Sequence, residues 1–273
     1  MSNLYLVGTP IGNLEDISLR ALRTLREVSL IAAEDTRVTQ RLLERYEIQT
    51  KLVSFHEYST PERVEDLLQA LENDDIALVT DAGMPGLSDP GFRLIRACIR
   101  AGIKVVPIPG PSAAVTALVI SGLPTENFLF LGFLSRQKEA RRKALTKIAK
   151  LPFTLVIYEA PHRVISLLED VWEILGNRQV VIGRELTKLY EETWRGLVVE
   201  AIEHFTDGET RGEFTLVVAG AANVPWDETA VIEALEKERE RGVSRKDAAE
   251  TVAGLSGWRK RDLYNLSLTI DKD

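Results

Sequence analysis

Cysteine is almost missing from this chain. Cys98 is the single one in 273 residues, so no internal disulfide can form, and its place in the helical run Phe92 to Ala101 suits a small buried hydrophobe. Histidine is sparse too: His56, His162 and His204, with one thiol, argue against a zinc cluster. No apolar run approaches the ~20 residues that a membrane-spanning helix needs. The start, Met1-Ser2-Asn3-Leu4-Tyr5-Leu6-Val7, has no basic segment and enters a strand at once, unlike a signal peptide, so a cytoplasmic location is expected. Excess positive charge is also lacking. The formal net charge of -7 excludes a uniformly basic coat for nucleic acid but leaves room for a local basic face. Two nucleotide-binding signatures are absent: Gly8 and Gly12 follow the first strand at G-x-x-x-G spacing, with no third glycine and no Gly-Lys-Ser/Thr, which disfavours NAD and ATP.

What is present is an ordinary globular composition, 45% apolar and 27% charged, long enough for two modest domains or one large one. Short apolar runs alternate with helical patterns, the signature of an α/β fold. The stretch that organises them is Leu78 to Gly91, LVTDAGMPGLSDPG. The strand Ile76 to Val79 empties into a loop with three glycines, two prolines and two aspartates before a helix near Phe92. Asp81 stands at the strand's carboxyl end, where open α/β sheets bind ligands, and the loop is longer than a plain strand-to-helix connection requires.

Other strands lead into equally marked turns. Leu4 to Val7 runs into Gly8-Thr9-Pro10-Ile11-Gly12, and Asp16 or Ser18 can cap a helix whose Leu19, Leu22 and Leu25 form a core stripe. Leu30 to Ala33 ends in Glu34-Asp35-Thr36-Arg37, which reads equally as a helix cap with paired charges or as the edge of a site. Leu52 to Ser54 is a third strand; Thr60-Pro61 then opens a helix that carries Val64, Leu67, Leu68 and Leu71 inward. Lys104 to Val106 runs into Pro107-Ile108-Pro109-Gly110-Pro111, and Ser112 is the expected cap of a small-residue helix, Ala113 to Ile120, against whose start a ligand can pack closely. Ser121 to Glu126 reads as a linker.

A second series follows. Phe128 to Leu131 is a strand; Arg136 to Lys150 is strongly basic, with Glu139 its lone acid, and fits either a solvated helix or a phosphate-binding face. Phe153 to Tyr158 ends in Glu159-Ala160-Pro161-His162-Arg163, where His162 suits polar packing better than metal ligation. Gln179 to Gly183 leads to Arg184-Glu185-Leu186-Thr187-Lys188, Thr193 to Gly196 ends a strand, Leu197 to Phe205 is a helix, and Arg211 to Gly220 holds a last strand. Asn223-Val224-Pro225 marks a boundary. Beyond it come helical patterns at Thr229 to Arg241, at Val243 to Ala249 and after Ser256. Ser244 and Ser256 are the expected N-caps, with Gly254 to Gly257 as the turn between, an arrangement compatible with helix-turn-helix or with a packing subdomain.

Seven segments in order carry a resemblance: LYLVGTPIGNL (Leu4 to Leu14), AEDTR (Ala33 to Arg37), TDAGMPGLSDPG (Thr80 to Gly91), PIPGPSAA (Pro107 to Ala114), YEAPHR (Tyr158 to Arg163), RELTK (Arg184 to Lys188) and GEFTLV (Gly212 to Val217). On these the chain resembles the tetrapyrrole methylase superfamily, and within it the branch that 2′-O-methylates a cytidine in the decoding region of 16S ribosomal RNA. The resemblance implies two α/β domains of the class III S-adenosylmethionine (SAM) methyltransferase fold, here at 1–120 and 127–222, with a helical module at 226–273 and SAM in the cleft between the first two. It implies cofactor contacts at Pro10, Asp81, Gly83, Met84, Ser112, Ala113, Tyr158, Leu186, Phe214 and Thr215, and a homodimer. Met84 departs from the pattern, since many relatives carry a smaller polar residue there.

Methyl transfer to a ribose hydroxyl needs alignment, a proton acceptor and a cation near the developing alkoxide. Asp35 and Glu185 are the candidate bases, Arg37 and Lys188 the electrostatic partners, and Arg141, Arg142, His162 and Arg163 the candidate RNA contacts. The partner expected is 16S rRNA or the assembled small subunit, with no membrane. Three other readings are weaker. Gly110-Pro111-Ser112-Ala113-Ala114 lacks the last glycine of a hydrolase nucleophile elbow. Methylation of a tetrapyrrole or other small acceptor does not call for the basic helix or the helical tail. A non-catalytic RNA-binding module does not need glycine-proline loops lining one cleft.

Overall fold

The computed structural model describes residues 2–208, 211–222 and 227–270. The chain divides into two compact units, Met1–Gly220 and Ala221–Asp273. The expected boundary at Asn223-Val224-Pro225 lies outside the described residues.

The first unit opens as a βα alternation: β1 (Asn3–Val7), α1 (Leu19–Glu27), β2 (Leu30–Ala33), α2 (Thr36–Arg45), β3 (Lys51–Ser54), α3 (Pro61–Ala70), β4 (Ile76–Val79), α4 (Phe92–Arg100), β5 (Lys104–Ile108) and α5 (Ala113–Ser121). The five strands form one parallel sheet in the order β3-β2-β4-β1-β5. Helices cover both faces, so β4 is buried at every residue, which is why its sequence is a continuous apolar run with no alternation. Ser18 caps α1 by accepting from Ala21 N, as expected. Leu22 and Leu25 are buried, but Leu19 is 86% exposed: it sits at the first helical position, where the turn faces solvent.

A second sheet uses β6 (Phe128–Phe133), β7 (Thr154–Glu159), β8 (Gln179–Arg184), β9 (Glu192–Leu197) and β10 (Phe214–Val218), in the order β6-β7-β10-β8-β9. Here β6 and β7 are parallel, whereas β10 lies antiparallel between β7 and β8. One face packs on α7 (Val164–Leu175) and α8 (Val198–Asp207), with Leu145 of α6 (Lys138–Ile148) in the same core. The other receives α5: Ala114, Ala117 and Leu118 meet Val156, Val181 and Val217. Small residues on α5 therefore bring a helix of the first half close to the second sheet. Helix α6 is tied to α7 by ion pairs, since Arg141 Nε donates to Asp170 at 2.6 Å and Arg142 Nη1 to the other oxygen of Asp170 at 2.9 Å.

The second unit is three helices, α9 (Glu228–Glu240), α10 (Arg245–Ser256) and α11 (Lys260–Thr269), around Val231, Leu235, Ala249, Val252 and Leu263. Ser244 caps α10 by accepting from Asp247 N. Ser256 does not open the third helix: it is the buried last residue of α10, Gly257 in the left-handed region ends that helix, and Arg259 is the N-cap of α11. The turn thus falls at 257–259, because left-handed Gly257 stops a helix that Gly254 does not interrupt.

Candidate active site

The carboxyl-end turns of the first sheet are stitched together. Gly8 N donates to Ile108 O at 3.0 Å; Thr9 and Gly83 exchange backbone hydrogen bonds at 2.9 and 3.1 Å, and Thr9 Oγ1 donates to Thr80 O. Gly8 and Gly110 pass so close that a Cβ on Gly110 would lie 2.8 Å from the backbone of Gly8. Asp81 accepts from Asp35 N at 3.0 Å and its own N–H donates to Glu34 at 3.2 Å, which joins the turns after β2 and β4. Burial raises the pKa of both Glu34 and Asp81, against the opposing pull of these N–H donors.

The second sheet closes the other side. Tyr158 at the end of β7 accepts from Ala114 N at 2.9 Å, so a phenol from one half caps the helix start of the other. Ser112, at the N-cap of α5, makes no cap bond; its Oγ lies beside the Tyr158 phenol without good hydrogen-bond geometry. The turn Glu185 to Lys188 has positive φ at Glu185 and Thr187 and lies over Gly12, where a Cβ would meet Lys188, Thr187 and Leu186 within 2.8 Å. Thr187 Oγ1 accepts from Asn13 N.

Between these turns is a cavity of about 360 Å³. Nine of the ten expected cofactor residues line it: Asp81, Gly83, Met84, Ser112, Ala113, Tyr158, Leu186, Phe214 and Thr215. Pro10 is buried, and its neighbour Ile11 takes the place in the wall. Four carboxylates not singled out from sequence also line the cavity: Glu34, Asp89, Glu159 and Glu213. The usable signal was the carboxyl end of a strand for Glu34 and Glu159 and a glycine-proline turn for Asp89, whereas Glu213 precedes β10 and carries no such signal.

The four expected catalytic residues form two ion pairs at the periphery and do not line the cavity. Asp35 caps α2 and bonds Arg37 at 2.6 Å; that hydrogen bond pulls the Asp35 carboxyl down to about 2, while Arg37 is 87% exposed. Burial pushes Glu185 up, but hydrogen bonds from Lys188 at 2.8 Å and Glu213 N at 2.9 Å outweigh it, and its pKa is lowered. Lys188 also reaches Glu213 at 3.2 Å.

The expected RNA contacts separate. His162 is exposed. Arg141 is only 5% exposed and holds Asp170, so its guanidinium bridges two helices and is not open to a phosphate. Arg142 divides between Asp170 and Glu173. Arg163 is 13% exposed, donating to Leu134 O and pairing with Glu159. The basic side chains of α6 that do face outward are Lys138, Lys143 and Lys147, with Arg136 and Lys150 flanking.

The family described as Tetrapyrrole (Corrin/Porphyrin) Methylases matches residues 3–202. The chain belongs to the tetrapyrrole methylase family. It is similar to proteins named Ribosomal RNA small subunit methyltransferase I: one from Halalkalibacterium halodurans is 49% identical, covering 96% of this chain and 93% of the relative. Another, from Synechocystis, is 44% identical over the full length of both, and that of Bacillus subtilis is 43% identical, covering 97% and 94%. Among solved structures, uroporphyrin-III-C-methyltransferase from Thermus thermophilus has a TM-score of 0.55 at 23% identity, covering 80% of this chain and 94% of that one. The methyltransferase CobJ has a TM-score of 0.62 at 18% identity, covering 81% and 95%. These two show the tetrapyrrole methylase fold.

Methyltransferases of this family use SAM, and the cavity's chemistry fits it. Its volume is that of a small-molecule site. Ile11, Met84, Leu186 and Phe214 supply apolar wall. The buried hydroxyl of Ser112 in the wall lacks a hydrogen-bond partner of good geometry, and carboxylates at Asp81 and Asp89 suit a positively charged ligand.

Proposed function

We propose that this tetrapyrrole methylase transfers a methyl group from SAM to the 2′-hydroxyl of a cytidine in the decoding region of 16S ribosomal RNA. The observation that carries the reading is the identity of 41–50% with proteins named for small-subunit rRNA. SAM, when bound, supplies an electrophilic methyl group on a sulfonium. The protein aligns the acceptor and excludes water. Asp81, Gly83, Met84, Ser112, Ala113, Tyr158, Leu186, Phe214 and Thr215 would hold the cofactor. Arg37 and Lys188, fixed by Asp35 and Glu185, offer positive charge to the acceptor strand; Asp35 and Glu185 act as orienting groups, since a carboxylate already bound to a cation is a weak proton acceptor. Exposed His162 and the outward lysines of α6 are the proposed RNA contacts, with Arg142 at their edge.

Within the first unit we read two domains, 1–120 and 127–222, followed by a helical module at 226–273. Val115 and Val119, exposed and four residues apart on α5, support a homodimer through that helix. A ribosomal substrate places the reaction in the cytoplasm.

Tritium transfer from labelled SAM to 30S subunits, with naked 16S RNA alongside, tests the reading. Label on one cytidine ribose is expected; no label on either RNA would refute it. Asp81→Ala and a bulky residue at Ser112 are expected to weaken SAM binding in calorimetry by tenfold or more. Arg37→Ala and Lys188→Ala are expected to lower transfer with SAM affinity kept.

A further inference from the structure

Five carboxylates line the cavity, and four of them are already engaged. Glu34 accepts from Asp81 N, Asp81 from Asp35 N, Glu159 from Ala160 N beside Arg163, and Glu213 pairs with Lys188. Asp89 is different: among the described residues it has no hydrogen bond and no ion pair, although it is half-buried in the cavity wall. The groups that face it are Glu34 and Asp81 from the first sheet, and Glu213 and the Tyr158 phenol from the second. Among the described residues no cation is set against it.

Its position is built at some cost. Ser88, the residue before it, has φ +64°, a left-handed conformation that disfavours a side chain by about 1 kcal/mol. The turn is held by Leu87 N donating to Met84 O and by Gly86 N donating to Pro90 O. The Ser88 side chain meets Gly132, where β6 breaks register against β7; Gly132 has φ +59°, and a Cβ there would lie 2.5 Å from Ser88 Oγ. A turn of the first half is thus lodged on an irregularity of the second, with Asp89 following it into the cavity.

We propose that Asp89 is the base of the methyl transfer, and that the contact of Ser88 with Gly132 sets its position. This rests on the function proposed above. The acceptor hydroxyl gives its proton to a carboxylate oxygen of Asp89 as an oxygen lone pair forms the bond to the methyl carbon. The carbon–sulfur bond breaks with its pair going to sulfur, which leaves as a neutral thioether. Burial, reinforced by Glu34, Asp81 and Glu213, raises the Asp89 pKa to about 7, where a carboxylate is both available and basic near neutral pH.

The test uses the full-length enzyme, SAM and 30S subunits. With wild type, the single-turnover rate at saturating SAM is expected to fall about tenfold per pH unit on the acid side of a limb at or below pH 7. A cation in the cavity favours the ionised carboxyl, so carbon-13 NMR of the SAM-free protein should show Asp89 titrating above that limb. Asp89→Asn is expected to lower the rate at saturating SAM by about 10²–10⁴-fold and abolish the limb, with the SAM Kd weakened by no more than the factor that SAM's shift of the Asp89 titration implies, about tenfold per pH unit. A rate in Asp89→Asn within threefold of wild type overturns the assignment, as does weakened SAM binding with the saturated rate intact. A flat wild-type profile from pH 5 to 9 overturns it without any variant. No transfer by wild type to 30S subunits refutes the rRNA reading and this assignment together; transfer unaffected by Asp89→Asn refutes this assignment alone.

Discussion

In the parallel first sheet every strand delivers its carboxyl end to the same edge, so each turn after a strand is a candidate for the site. The second sheet reaches the same cavity differently. Strand β10 runs antiparallel between β7 and β8, pairing Phe214 with both Glu159 and Arg184, so it is the beginning of β10 that meets the ends of its neighbours. Phe214, Thr215 and Glu213 enter the wall from a strand's amino end. A rule about strand ends therefore locates loops in one half and misses part of the wall in the other. Close backbone approaches hold both halves, Gly8 against Gly110 in the first and Gly220 against Pro152 in the second, and the second half adds a buried ion pair between α6 and α7.

The sharpest break of this contrast is Arg141→Ala. It leaves Asp170 buried with only Arg142 beside it, so a loss of about 3 kcal/mol in urea unfolding is expected, at the lower end for a broken buried pair because one cation remains. An unchanged midpoint would remove the ion network from the account of the second half. Next is Gly110→Ala, which must push apart the turns after β1 and β5; roughly 1–3 kcal/mol of stability and a measurable part of SAM affinity should go together. Loss of stability without loss of affinity would separate those turns from the site.

A smaller effect is expected from pH. The Asp89 carboxyl titrates near 7 in the folded chain against an ordinary 3.8, so the folded state holds that proton more tightly. Its contribution is most favourable below pH 4, falls as pH rises to about 7, and is level above that. Asp89→Asn should match wild type at pH 4 and be more stable at pH 8 by about 1 kcal/mol, most of the full shift being screened by solvent at a half-buried position. The smallest effect should come from Leu19→Lys, within about 0.5 kcal/mol of wild type, because the side chain is exposed. A larger loss would mean that Leu19 packs on a partner surface.

How much was legible beforehand varies by element. Strands β2 and β4 and the wall residues Asp81 and Ser112 follow from apolar runs ending in turn chemistry, a signal that is local in the chain, whereas Tyr158 as a wall residue came with the family resemblance. Leu19 and Ser256 misled because a stripe and a cap are judged on spacing, while which turn meets solvent and where a glycine stops a helix are settled by the backbone. Arg141 misled because a basic run does not show that Asp170, 29 residues on, lies beside it.

Taken alone, the amino-acid order determined the alternation of strands and helices, the turns that carry chemistry and the family whose motifs they match. Those properties depend on neighbours within a few residues. Which carboxylate of the cavity wall is left without a partner among the described residues, which arginine is buried, and that β10 enters from its other end were decided only by tertiary structure. They depend on groups far apart in sequence, and burial and charge pairing act through distance in space.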